Sequence, residues 1–96
     1  MKVAGFDWDD GNRSKCVTLG VSLAETEALF RGEVYVVGGV DFGPERRALA
    51  CGEVGGRWVF CVLTMRRGRI RPVSVRYMHA KEVRRYAEEI SRSRQR

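Results

Sequence analysis

Apolar and polar positions change period twice along this chain of 96 residues. From Lys2 to Trp8, Val3, Gly5 and Asp7 alternate with Ala4, Phe6 and Trp8, which predicts a short strand with one apolar face. Asp9 or Asp10 then offers a carboxylate to the free amides of a helix running to about Leu19 and stopping at Gly20, with Cys16 and Leu19 on a shared buried side. Ser22-Leu23-Ala24-Glu25 has the spacing of a capping box and opens a second helix. Leu23, Thr26, Leu29 and Phe30 lie near one face of that helix, which ends around Gly32. Two short helices with almost no linker predict a hairpin-like unit.

The period returns to two at Glu33-Val34-Tyr35-Val36-Val37, a short strand, followed by a loop over Gly38-Gly39 and Asp41 to Pro44. Arg46 to Val54 and Arg57 to Met65 flank Gly55-Gly56, a hairpin signal that sets Val54 opposite Arg57, Cys51 opposite Phe60 and Ala50 opposite Cys61. That register points Cys51 and Cys61 to opposite faces, where they cannot bond to each other. A second turn near Arg67-Gly68 leads into Ile70 to Tyr77, with Val73 and Val75 on one side and Ser74 and Arg76 on the other. The prediction is an antiparallel meander of three strands, packed on helices by one face and polar on the other. A last helix from His79 or Ala80 carries Val83, Tyr86, Ala87 and Ile90 on one stripe, and from Ser91 on, SRSRQR has nothing to bury and should fray. The fold class is α+β: an N-terminal strand, two short helices, an antiparallel meander and a C-terminal helix.

Composition bounds what this fold can be. The length suits a single domain spanning 1–96. Apolar residues at 44% and charged residues at 31% are ordinary for a globular protein, and no apolar run approaches the roughly 20 residues that span a bilayer. The start, MKVAGFDWDD, turns acidic at once and is unlike a secretory signal, so a cytoplasmic protein without a membrane role is expected. Three cysteines without CxxC spacing argue against a disulfide framework and a zinc site.

The net charge of +6 is unevenly placed. Residues 1–43 carry four basic and seven acidic side chains, a balance of −3, whereas residues 44–96 carry fourteen and five, a balance of +9. The second half thus offers a surface for a polyanion, with nucleic acid the commonest, while a solvating face or an acidic protein partner fits composition equally well. Its centre is Arg66 to Tyr86, which gathers Arg66, Arg67, Arg69, Arg71, Arg76, the only histidine, His79, and the acid Glu82 on one strand running into one helix.

Taken in order, these elements and residues resemble the small BrnT-type toxins, similar in fold to the RelE/ParE group of toxin–antitoxin ribonucleases. The resemblance rests on Phe6, Trp8 and Asp9; Gly20-Val21-Ser22 with Glu25 and Phe30; Glu45, Arg47 and Gly52; Gly56-Arg57; and Arg71-x-Val73-Ser74-x-Arg76 followed by Glu82 and Tyr86. It spans roughly residues 5–88. Two positions depart from the family pattern: Leu19 stands where a histidine is usual before Gly-Val-Ser, and Pro72 replaces an apolar residue and removes a backbone donor from its strand.

The resemblance implies an endoribonuclease that arrests translation and growth and is neutralised by a cognate DNA-binding antitoxin, in a possible 2:2 assembly. Metal-independent RNA cleavage needs a base for the 2′-OH proton, a cation for the phosphorane and an acid for the leaving oxygen, and the substrate brings its own nucleophile, so no cofactor or metal is expected. Arg47, Arg71 and Arg76 are candidates to hold the scissile phosphate, and His79 to move the proton, with Glu82 a weaker candidate. The catalytic set is then Arg76, His79, Glu82 and Arg47, with Arg66, Arg67, Arg69, Arg71 and Lys15 contacting RNA phosphates. Arg71 and Arg76, five apart on one strand, point to opposite faces unless a bulge favoured by Pro72 shifts the register, and Arg76 is the one expected to meet His79.

Each assignment has a plainer counterpart. His79 serves equally well as a helix cap, Glu82 as a structural partner of Arg76 or Arg85, and Trp8 and Trp58 as core or interface. Asp7, Asp9 and Asp10 suggest a divalent metal only weakly, since alternation separates Asp7 and a helix start explains the others. With histidine absent at position 19, a second class stays open: a degenerate, non-catalytic toxin that acts as a co-repressor by binding its antitoxin.

Overall fold

The computed structural model describes residues 5–94. Its elements are α1 (Asp10–Val17), α2 (Leu23–Arg31), β1 (Tyr35–Phe42), β2 (Glu45–Val54), β3 (Arg57–Arg66), β4 (Arg69–Tyr77), α3 (Ala80–Arg85) and α4 (Ala87–Arg94). The strands form one antiparallel meander in the order β1-β2-β3-β4.

Local chemistry accounts for both N-terminal helices. The Asp9 carboxylate accepts from Asn12 N–H at 3.0 Å while the Asn12 side-chain oxygen accepts from Asp9 N–H at 2.7 Å, closing a reciprocal cap on α1. Ser22 and Glu25 do the same for α2, each bond being 3.1 Å. Cys16 is fully buried, but Leu19 lies beyond the end of α1 and is 56% exposed, so the expected pairing of the two on one buried side fails. Thr26, Leu29 and Phe30 do form the buried face of α2.

The sheet confirms the predicted central register and corrects its size. Val54 pairs with Arg57, Cys51 with Phe60 and Ala50 with Cys61. The fourth strand is β1, which runs straight through Gly38-Gly39 where a loop was expected. A bulge between Val36 and Gly38 absorbs the irregularity, and pairing continues to Phe42 opposite Glu45 across the Gly43-Pro44 turn. Two glycines lower strand propensity, but ladder bonds to a long β2 outweigh that local preference. The Arg67-Gly68 turn has positive φ at both positions, 54° and 76°, as a tight hairpin of matching twist requires.

Alternation on β3 divides the interior in two. Val59, Cys61 and Leu63 face a core built with Cys16, Val21, Leu29 and Phe30 from the N-terminal helices. Phe60 faces the other side, where it joins Tyr35, Val37, Cys51 and Ile90 of α4. Cys51 and Cys61 therefore sit on opposite faces as free, buried thiols.

The two ends of the chain differ most from expectation. The predicted strand over Lys2 to Trp8 reduces, among the described residues, to one parallel bridge of Phe6 with Ile70; residues 2–4 lie outside the described residues. The single C-terminal helix is two, because Tyr86 adopts φ −96°, ψ 4° between α3 and α4. Helix continues past Ser91 to Arg94, and residues 95–96 lie outside the described residues. Ile90 is buried on the predicted stripe, whereas Ala87 is exposed.

Candidate nucleic-acid interface

A bulge in β4 organises the site. Leu63 pairs with Pro72 and Val62 with Ser74, leaving Val73 as the extra residue. Proline has no N–H to give the ladder, and the Pro72 carbonyl instead accepts from the Asn12 side chain at 3.0 Å, which tethers α1 to the bulge. The inserted residue reverses the alternation: Ile70 and Pro72 are buried before it, Val75 after it. Arg71 now lies opposite Thr64 and Arg76 opposite Phe60, two positions of like parity on β3. The two arginines therefore share one face of the sheet, about 13 Å apart along the strand. Ser74 and Arg76 lie on one side and Val75 on the other, as expected, while Val73 is the unpaired residue of the bulge.

Beside Arg71, a cavity of about 440 Å³ is bordered also by Arg47, Arg66 and Lys15 of α1. Acidic neighbours hold most of these cations. Arg71 donates to Asp9 at 2.7 Å and lies 3.6 Å from Asp7, Arg66 lies 3.8 Å from Asp7, and Arg47 lies 3.6 Å from Glu45. The hydrogen bonds from Asn12 N–H and Arg71 keep the Asp9 carboxyl below its usual range. Arg47 also rests over the Phe42 ring at 4.2 Å. Arg47 Nε and Arg71 Nη1 are buried without a hydrogen-bond partner among the described residues. Arg66, Arg67 and Arg69, with Asp7, line an adjoining cavity of about 430 Å³ at the β3–β4 turn, where Arg67 and Arg69 are exposed.

At its far end, β4 meets α3. Arg76 and Glu82 form a two-pronged pair, Nη1 to Oε1 at 2.7 Å and Nη2 to Oε2 at 2.6 Å. Glu82 Oε1 also accepts the His79 backbone N–H at 3.2 Å, so the first turn of α3 fixes the carboxylate. The Arg76 hydrogen bond, then the His79 N–H, pulls the Glu82 carboxyl down to about 2. The same bond raises the Arg76 guanidinium. Arg76 lies over Phe60 at 4.8 Å, and Phe60 stacks on Tyr86 at 5.8 Å. His79 is exposed at the cap of α3.

The structure thus brings Arg76, His79 and Glu82 together and gathers Lys15, Arg47, Arg66 and Arg71 around a separate cavity, with Arg67 and Arg69 at the turn. Arg47 belongs to the cavity and not to the junction. Asn12 and Phe60 were missed in the sequence. Asp9-x-x-Asn12 has capping-box spacing with asparagine in place of glutamate, a signal that was there to be used; Phe60 carried none beyond its apolarity. Trp8 and Trp58 are half-buried, Trp8 donating to Glu27 at 2.9 Å and Trp58 lying 6.3 Å from Tyr35, as core residues would.

Among the described residues no helix is long and apolar enough to cross a membrane. Neither the comparison with curated proteins nor that with solved structures gave a match. The family model for BrnT, the ribonuclease toxin of type II toxin–antitoxin systems, matches residues 8–82, a stretch that runs from the cap of α1 to Glu82 and includes every arginine of both clusters. With well over half its length matched in one continuous stretch, the chain belongs to the BrnT family of type II ribonuclease toxins.

Proposed function

We propose that this protein is a metal-independent endoribonuclease acting in the cytoplasm, with RNA lying along the sheet face that carries Arg47, Arg66, Arg71 and Arg76. The observation that supports this most is the β4 bulge, since without it Arg71 and Arg76 point to opposite sides and no continuous basic track exists. Lys15, Arg47, Arg66 and Arg71 hold phosphates at the cavity, and Arg67 and Arg69 add attraction at the turn. At the junction Arg76 stabilises charge on the phosphorane, and His79 carries one of the two proton transfers. Glu82, ionised down to about pH 2, is too weak a base for proton transfer and acts by orienting Arg76. A cognate DNA-binding antitoxin, in a 2:2 assembly, neutralises the enzyme by covering the basic face.

A non-catalytic co-repressor role is the second reading, and two observations favour it: Glu82 offsets the charge of Arg76, and Leu19 replaces the family's usual histidine at a solvent-facing position. Incubation of RNA with the purified protein in EDTA separates the two. The wild type cuts, and Arg76→Ala and His79→Ala each slow cutting by about 10²-fold or more. Intact RNA, or equal cutting by all three proteins, would sink the catalytic assignment.

A further inference from the structure

The chain itself covers the start of one edge of the sheet and leaves the other edge open from Val36 to Phe42 among the described residues. On the β4 side, Asp7 N–H donates to Ile70 O at 2.8 Å, Ile70 N–H to Gly5 O at 3.0 Å and the Asn12 side chain to Pro72 O at 3.0 Å, so the start of that edge is occupied. β1 is the opposite edge, and among the described residues no backbone hydrogen bond outside the β1–β2 ladder reaches 36–42. Residues 38–42 are all exposed and pair in regular register with 45–49, so the bulge between Val36 and Gly38 leaves this part of the ladder regular. Folded proteins blunt such edges with lysine, proline or very short strands. β1 is eight residues long, has neither residue and carries one charge, Asp41.

The side chains along this edge are unusually apolar for a surface. On β1, Val36, Val40 and Phe42 are 49%, 46% and 60% exposed, and on β3 Met65 is 52% exposed. Val36, Leu63 and Met65 floor an open groove of about 780 Å³, with Arg46, Arg47 and Arg66 at its margin. The Arg46 guanidinium lies against Gly39, where a Cβ would fall 2.7 Å from its Nη2. An unpaired backbone row, an apolar floor and a basic margin together suit an extended segment in which apolar and acidic side chains alternate.

We propose that β1 is the docking edge for such a segment of the antitoxin, added as a fifth strand with its apolar side chains on the Val36–Met65 floor and its acids against Arg46, Arg47 and Arg66. The identity of the partner rests on the toxin reading above; the edge does not. A second copy of this chain fits the site less well, because it also carries +6 and sets like charges together.

Two measurements on the complex co-purified with the cognate antitoxin test this. Hydrogen exchange at 38–42 slows at least tenfold in the complex relative to the chain alone, while Val36→Lys and Val40→Lys each weaken antitoxin binding at least tenfold with unchanged circular dichroism. Unchanged exchange at 38–42, or binding within twofold of wild type by both folded variants, overturns the proposal. So does a concentration-dependent dimer of the chain alone that protects 38–42, since a second copy then fills the edge. If a variant misfolds, exchange in the wild-type complex still decides. RNA assays on the same samples keep the two ideas apart: cutting silenced equally well in both variants refutes the edge and spares the ribonuclease, while lost antitoxin binding with RNA left intact does the reverse.

Discussion

Replacing Glu82 with glutamine tests the junction without changing its shape. The amide keeps an oxygen to accept the His79 N–H but removes the charge that holds Arg76. The Glu82 carboxyl falls from 4.5 to about 2 on folding, equivalent to about 3 kcal/mol if taken in full. Water screens part of this, because the Arg76 side chain is 37% exposed and that of Glu82 23%, and about 1–2 kcal/mol is the expected effect. The sign follows from the lowered value: the stabilisation is complete above the unfolded carboxyl's range and disappears as pH falls through the folded one. Urea unfolding of wild type and Glu82→Gln at pH 7, 5, 4 and 3 should show wild type ahead by about 1–2 kcal/mol at pH 7, with the gap narrowing below about pH 5 and nearly closed near pH 2. A gap that stays constant from pH 7 to pH 3, or no gap at pH 7, would refute the pairing as the source of the effect.

Two further outcomes concern the core. A Cβ at Gly52 would fall 2.6 Å from the Glu33 carbonyl and 2.8 Å from Leu29 Cδ1, so Gly52→Ala should cost about 1–3 kcal/mol, and thermal denaturation showing an unchanged midpoint would refute that close approach. Burial pushes the Cys51 thiol up to about 11 and raises Cys16 and Cys61 as well, so none of the three should react with a thiol reagent at pH 8 in the native protein and all three should after denaturation; fast labelling of folded protein would contradict this burial.

The site was only half legible beforehand. Arg76, His79 and Glu82 fall within one strand–helix junction, where seven residues of chain keep them close whatever the rest of the protein does. The capping relation of Glu82 to His79 N–H is likewise a matter of three-residue spacing. Arg47 and Lys15 had no such constraint. Each reaches the cavity only in the folded protein, where α1 packs on β4 and β3 joins β2 to β4, contacts between residues far apart in sequence that no local pattern encodes.

Backbone chemistry read along the chain determined the two helix caps, the Gly55-Gly56 and Arg67-Gly68 turns, and with them the β2–β3 register that separates Cys51 from Cys61. These depend on neighbours a few residues apart, so their geometry is written in local sequence. Only the tertiary structure decided that Gly38-Gly39 continue a strand, that Leu19 faces solvent and that Arg71 and Arg76 share a face. For the glycines and the arginines the physical reason is a partner distant in sequence. A long β2 supplies hydrogen bonds that hold two glycines extended, and Asn12, sixty residues away, takes the Pro72 carbonyl at the bulge and brings the two arginines into line.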